Sequence, residues 1–230
     1  FLGTTVPANT GGADTMRLAL DAIAAHPNVG PFLGKQLIQR LVTSNPSKAY
    51  VARVARAFNG NGTTTRGNLA VTLRAVLSDV EARDPSQAPD ATARGKLREP
   101  VLRFVQWAIA AQVGSPSGDW KLPNLSDPAR RLGQSPLHSP SVFNFYRPGY
   151  IPPGTPIASK AGVVAPEFQI TTESSVAGYL NFMQSSISAT VGILGSDVVP
   201  NYEAWLPLAT DPAALVAQTH LLFAAGALSP

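Results

Sequence analysis

The chain has 230 residues, of which 44% are hydrophobic and only 14% are charged, and its net charge is +4. It contains no cysteine, which excludes disulfides, thiolate metal sites and a cysteine nucleophile. The basic residues are neither clustered nor part of a nucleic-acid-binding motif, and no apolar stretch is long enough to cross a membrane. We therefore predict no nucleic-acid partner and no transmembrane segment.

Apolar residues at helical spacing run through the first hundred residues and predict successive amphipathic helices. Prolines and a glycine-rich run at residues 59–62 separate these helices, and short connections favour antiparallel neighbours in a bundle. The predicted inward stripes are Met16, Ala19, Leu20 and Ile23; Leu37, Ile38, Leu41 and Val42; Tyr50, Val51, Val54, Ala55 and Phe58; Leu69, Leu73, Val76, Leu77 and Val80; and Val101, Leu102, Val105, Ala108 and Ile109.

Residues 114–166 have a different composition, dense in proline and glycine with aromatic residues between them. The aromatic residues favour ordered packing over disorder. Two further helices are predicted after this segment, with inward stripes Val176, Tyr179, Leu180, Met183 and Ile187, and Leu215, Leu222 and Phe223.

The predicted fold class is all-α: an irregular multi-helix bundle with a long, ordered Pro/Gly-rich loop segment packed over it. We predict one helical domain over 1–230, a fragment of a longer protein. Its parts are a helical bundle at 1–113, an irregular layer at 114–166 and C-terminal helices at 167–230.

Familiar catalytic motifs are missing. The segment Gly114–Gly118 has proline where a serine hydrolase elbow needs its nucleophile, and Gly30–Lys35 lacks the spacing of a phosphate-binding loop. His26, His138 and His220 lie far apart in the sequence and form no metal-binding motif, so neither a metal site nor a cofactor is predicted. The catalytic residues, if any, stay unknown.

Acidic residues at two places along the chain have a structural interpretation. Glu99 precedes Pro100 at a predicted helix start, where the helix dipole favours a carboxylate. Asp79, Glu81 and Arg83 are interpreted as helix caps and surface ion pairs, because a general acid/base pair would need burial.

The segment 141–150 is the main binding candidate, because its aromatic rings can stack on a sugar or peptide while polar side chains bind the ligand's edge. The alternative is that the aromatic rings only anchor the loop. The binding hypothesis predicts that replacing Tyr146 and Arg147 by alanine abolishes partner capture and leaves the fold intact. The candidate binding residues are Trp120, His138, Asn144, Tyr146, Arg147 and Tyr150.

Several motifs resemble the bacterial family known as domain of unknown function 1800: residues 26–32, 36–47, 98–100, 141–148 and 166–169. The resemblance runs over nearly the whole chain. It implies a mostly helical fold, a longer domain that starts before Phe1 and continues after Pro230, and frequently an export signal upstream. It implies no mechanism.

Two functions remain open from the sequence. The first is an exported, extracytoplasmic (periplasmic or secreted) binding or assembly protein, its leader absent from this segment, that holds a protein or polymer partner through the aromatic-bearing loop face. The second is a hydrolase-like enzyme that combines His138 with Asp or Glu residues from the helices. The oligomeric state is not predicted.

Overall fold

The structure, a computed structural model, describes residues 1–60, 64–88, 90, 93–190 and 192–226. These residues form helices and irregular chain without a strand, so the predicted all-α class is confirmed. No helix within these ranges is both long and apolar enough to cross a bilayer. The α-helices are α1 (Gly12–Ala25), α2 (Val29–Leu41), α3 (Lys48–Asn59), α4 (Leu69–Ser78), α5 (Val80–Arg83), α6 (Pro100–Ala110), α7 (Glu173–Ile187) and α8 (Pro212–Ala224). The short 3-10 helices are Pro85–Gln87, Pro166–Ile170, Ile193–Gly195 and Glu203–Leu208.

The chain divides into two compact units. The first unit comprises Phe1–Lys96 and Pro153–Ala165, and the second comprises Leu97–Pro152 and Pro166–Pro230. The irregular chain contributes to both units, since residues 114–152 belong to the second and residues 153–165 to the first.

Close packing of α2 on α3 organises the first unit, whose core contains Ile38, Tyr50, Val54 and Val76. The helices approach closely because α2 presents a glycine to α3. A methyl group at Gly34 would lie only 3.1 Å from Cγ1 of Val54. The glycine-containing segment that fails as a phosphate-binding loop therefore serves helix packing.

Inward faces were predicted with mixed success in this unit. The stripe on α3 is confirmed, since most of its residues are buried. The stripes on α1 and α4 are largely wrong, because both helices carry apolar residues on two sides. On α4, Thr72 and Val76 face the core. The exposed members of the two predicted stripes are Met16, Leu20, Ile23, Leu69, Leu73, Leu77 and Val80.

The core of the second unit combines helices with irregular chain. Its buried members are Phe104, Trp107, Ala111, Leu125, Leu132, Phe182, Met183, Ile193 and Val198. The stripe predicted for α6 is wrong at Leu102, Val105 and Ile109, which are exposed, because the larger rings of Phe104 and Trp107 bury more area.

The last two helices also differ from expectation. On α7, Val176, Leu180 and Ile187 are exposed while Met183 is buried as predicted. No residue of α8 is fully buried.

A buried ion-pair network joins α3 to the α4–α5 junction. Arg53 donates to Asp79 from Nε and Nη2, both at 2.7 Å, and to Oε1 of Glu81 at 2.9 Å. Both carboxylates are nearly inaccessible to solvent, which corrects the interpretation as surface ion pairs. Ser47, the N-cap of α3, donates to the same Glu81 oxygen at 2.6 Å. The carboxylates are thus occupied by structural partners.

We expect Arg53→Met to destabilise the first unit and to make it more acid-sensitive. Burial raises the pKa of Asp79, but hydrogen bonds from Arg53 and from the Glu81 N–H outweigh burial and hold this pKa below 3.8. A lowered native pKa stabilises the fold above the unfolded-state pKa, and this contribution is lost as the pH falls through the native pKa. Removing Arg53 raises that native pKa and leaves buried carboxylates unpaired, at a cost of about 2–3 kcal/mol for a partly exposed pair.

Acid titration followed by far-UV circular dichroism checks this expectation. The variant should lose helical signal at a higher pH than the wild type, whereas exposed Arg56→Met should not. Identical acid transitions for the Arg53 variant and the wild type would show that the network adds no stability.

Candidate functional site

A cavity of about 380 Å³ in the second unit is the candidate site. We call it the His138 cavity. Its wall is irregular chain on one side and the start of α7 on the other. The lining residues are Ser126, Pro128, Gly133, His138, Pro140, Phe145, Gln169, Ile170, Thr172 and Ser175.

A buried carboxylate fixes the loop that carries His138. Glu99, the residue before α6, accepts a hydrogen bond from the Tyr146 hydroxyl at 2.6 Å and another from Nε2 of Gln134 at 2.7 Å. Gln134 in turn accepts from the backbone N–H of Val101 at 3.2 Å, which satisfies one free donor at the start of α6. Glu99, Gln134 and Tyr146 are all buried. This loop clamp holds both ends of residues 135–145 on one side chain.

A second tether joins this loop to the element before α7. Oε1 of Gln169 accepts a hydrogen bond from the backbone N–H of Arg147 at 2.8 Å. Because this bond fixes the orientation of the amide, Nε2 of Gln169 stays available as a donor, with no hydrogen-bond partner among the described residues. Thr172 and Ser175 cap α7 reciprocally, through bonds of 3.3 and 2.8 Å, which places both hydroxyl side chains in the cavity wall.

The turn at residues 127–131 forms another part of the wall and packs directly on α7. Asp127 starts this turn and accepts from the backbone N–H of Ala129 at 2.9 Å. Gly178 allows the close approach, since a methyl group there would lie 2.5 Å from the carbonyl oxygen of Pro128. The buried glycine in α7 is thus a requirement of this contact.

His138 lines the cavity, whereas Tyr146 does not. Tyr146 is buried with its hydroxyl on Glu99, so its ring is not available to an external ligand. The burial of Tyr146 argues against the predicted contact with a partner, and the bond to Glu99 indicates that replacing Tyr146 by alanine would disturb the loop.

The other predicted residues also lie outside the cavity lining. Asn144 is half-buried, with a φ of +68°. Arg147 is exposed, and the backbone N–H of Tyr150 donates to the Arg147 carbonyl at 3.1 Å.

Trp120 occupies an exposed loop that Asp197 holds in place. The Ser115 hydroxyl donates to Asp197 at 2.9 Å and accepts from the backbone N–H of Trp120 at 3.2 Å. The Trp120 side chain is 59% exposed, and its φ is +53°. The segment that fails as a hydrolase elbow therefore anchors this loop.

Sequence reasoning missed most of the cavity. Gln169 lies in a motif that carries the family resemblance, and that was its only signal. Glu99, which holds the loop, also lies in such a motif, but its place at a helix start indicated only a cap. Ser126, Thr172 and Ser175 gave none, because their patterns are those of ordinary turn and cap residues.

The cavity has a neutral polar character. Among the residues that the structure describes, no Asp or Glu lines it, and no group of three or more His, Asp or Glu side chains is placed to hold a metal ion. The Phe145 ring can stack on a ligand, and the His138 imidazole, the Gln169 amide and the Ser126 hydroxyl can hydrogen-bond to it. The Thr172 and Ser175 hydroxyls are engaged in the cap of α7.

The model of the family described as "Protein of unknown function (DUF1800)" matches residues 1–230. No curated protein and no solved structure matched the chain.

Proposed function

The chain belongs to the DUF1800 family, and since the family description assigns no activity, we propose a function from the site: a binding protein that holds a neutral segment of a polymer, best an oligosaccharide, in the His138 cavity. The observation that carries the proposal is the cavity lining. It combines the ring of Phe145 with the His138 imidazole, the Gln169 amide and the Ser126 hydroxyl, and it lacks a carboxylate among the described residues.

The cavity suits a ligand with many hydroxyl groups. Saccharides present apolar ring faces to aromatic side chains and hydroxyl edges to amides and hydroxyls. A volume of about 380 Å³ lies within the range of small-ligand sites. The walls are preorganised, because the loop clamp and the α7 cap fix them before a ligand arrives, which lowers the entropic cost of binding.

The hydrolase alternative has less support. General acid/base chemistry at His138 would need a carboxylate within hydrogen-bond reach of the imidazole or of the reacting atoms. No described carboxylate lines the cavity, so the lining favours holding a ligand over cleaving it.

We also propose that the protein acts outside the cytoplasm. Its lack of cysteine suits an oxidising compartment, where a stray thiol is a liability. A polymer of the cell envelope would be an accessible ligand there.

A glycan array probed with the purified chain tests the proposal. We expect binding to neutral oligosaccharides, and His138→Ala should weaken that binding about tenfold by removing a hydrogen-bonding and stacking group. Ser139→Ala is the matched control, since Ser139 is the exposed neighbour that does not line the cavity. Equal affinities of the wild type and His138→Ala, or no binding to neutral glycans, would argue against the proposal.

A further inference from the structure

The outer side of the clamped loop presents apolar side chains directly to solvent. Every residue from 136 to 143 is exposed. Leu137 is 102% exposed, Val142 is 96% exposed, and Phe143 is also exposed. Isolated exposed apolar residues are ordinary in soluble proteins, but three large ones within residues 137–143 of a single loop favour an interaction surface.

Leu137 has a backbone conformation that is unusual for its residue type. Leu137 has a φ of +62°, a left-handed conformation that is unfavourable for a leucine. The turn is closed by the His138 N–H, which donates to the Ser135 carbonyl at 3.2 Å. Strained conformations persist where the surroundings enforce them, and they concentrate at functional positions. The exposure of Leu137 is thus a property of a fixed loop.

The chain around the loop is positively charged. Residues 128–152 contain three arginines and one histidine but no Asp or Glu. Arg130 and Arg147, which flank the loop in sequence, are exposed. Three acids lie on the neighbouring cavity-wall elements: Asp127, which accepts a backbone N–H, Glu173 in the first turn of α7, and Glu167, which is buried in the 3-10 helix Pro166–Ile170.

We propose that this loop docks on the surface of an anionic phospholipid bilayer. Leu137, Val142 and Phe143 enter the boundary between headgroups and acyl chains, while Arg130 and Arg147 pair with lipid phosphates. An exposed apolar tip flanked by cations fits a bilayer, which supplies apolar depth and negative charge without shape complementarity. The inference goes beyond the proposed function, because it concerns the outer side of the loop and a lipid surface, whereas the cavity would hold a saccharide.

Co-sedimentation with vesicles tests the proposal. We expect the purified chain to sediment with phosphatidylcholine vesicles that contain phosphatidylglycerol, and to do so less at high salt because screening weakens the attraction. Binding to pure phosphatidylcholine vesicles should be at least several-fold weaker. The double variant Leu137→Ser with Val142→Ser should have an about tenfold lower partition coefficient, because less apolar side-chain area is then transferred from water to the bilayer on binding.

Matched variants make the result specific. Ile109→Ser removes an apolar side chain of the same unit that is 74% exposed, and it should bind vesicles like the wild type. Arg130→Gln with Arg147→Gln should lower binding to anionic vesicles. Tryptophan fluorescence verifies folding, since Trp107, Trp120 and Trp205 all lie in the second unit. The proposal is overturned if the folded Leu137→Ser, Val142→Ser variant binds anionic vesicles like the wild type. It is also overturned if the wild type does not bind anionic vesicles at low salt.

Discussion

Replacing Glu99 by alanine is expected to lower the free energy of unfolding of the second unit by about 3–5 kcal/mol. The variant leaves the Tyr146 hydroxyl and the Gln134 amide buried without their acceptor. An unsatisfied buried donor costs about 1–3 kcal/mol, and this variant leaves two such donors without their acceptor. Urea denaturation followed by tryptophan fluorescence measures the change, because all three tryptophans lie in this unit.

Two further variants define the scale of this effect. Tyr146→Phe keeps the ring and removes one hydrogen bond, so it should cost about 1–2 kcal/mol. Glu203→Ala removes an exposed carboxylate of the same unit and should change stability by less than about 0.5 kcal/mol. If Glu99→Ala unfolds at the same urea concentration as Glu203→Ala, Glu99 does not hold the loop.

Gly178→Ala is expected to destabilise the same unit by about 3 kcal/mol. At a helix position with free space around it, replacing glycine by alanine stabilises the helix by up to about 1 kcal/mol. Here the methyl group would lie 2.5 Å from the carbonyl oxygen of Pro128 and 2.6 Å from the carbonyl carbon of Ala129. Both neighbours are backbone atoms, so α7 and the turn must separate, and such overpacking costs about 1–3 kcal/mol or more.

The same urea measurement checks Gly178→Ala. The control is Gly149→Ala, because a methyl group at Gly149 would meet no atom within 4 Å, and its stability should match the wild type. The close contact between α7 and the turn would be refuted by a Gly178→Ala variant as stable as this control.

The helical class and the α3 face were predictable, because α3 separates its apolar and charged residues onto opposite sides. The buried faces of α4 and α6 could not be predicted. Both helices carry apolar residues nearly all round, so periodicity alone cannot choose the buried side. The choice is made in tertiary packing, where Phe104 and Trp107 bury the larger area.

The residues of the candidate site were even less predictable from local sequence patterns than the buried helix faces. Glu99 at a helix start has a sufficient local explanation in the helix dipole, whereas its partners lie 35 and 47 residues away. Tyr146 looked like a ligand-stacking ring because its segment is aromatic. No local pattern distinguishes a ring that faces a ligand from one whose hydroxyl binds a buried carboxylate.

The clamp connects the two proposals, because both depend on a fixed loop. Its inner side contributes His138 and Phe145 to the cavity, and its outer side presents Leu137 and Val142 to solvent. A loop that moved freely would provide neither a preformed cavity nor a persistent apolar tip.

The most direct measurement of this clamp is a double-mutant cycle between Glu99→Ala and Tyr146→Phe, in which the stability of each variant is measured by urea denaturation. A direct hydrogen bond between the two side chains predicts a coupling free energy of about 1–2 kcal/mol. Effects that add within about 0.3–0.5 kcal/mol, as for independent sites, would contradict a loop held by Glu99.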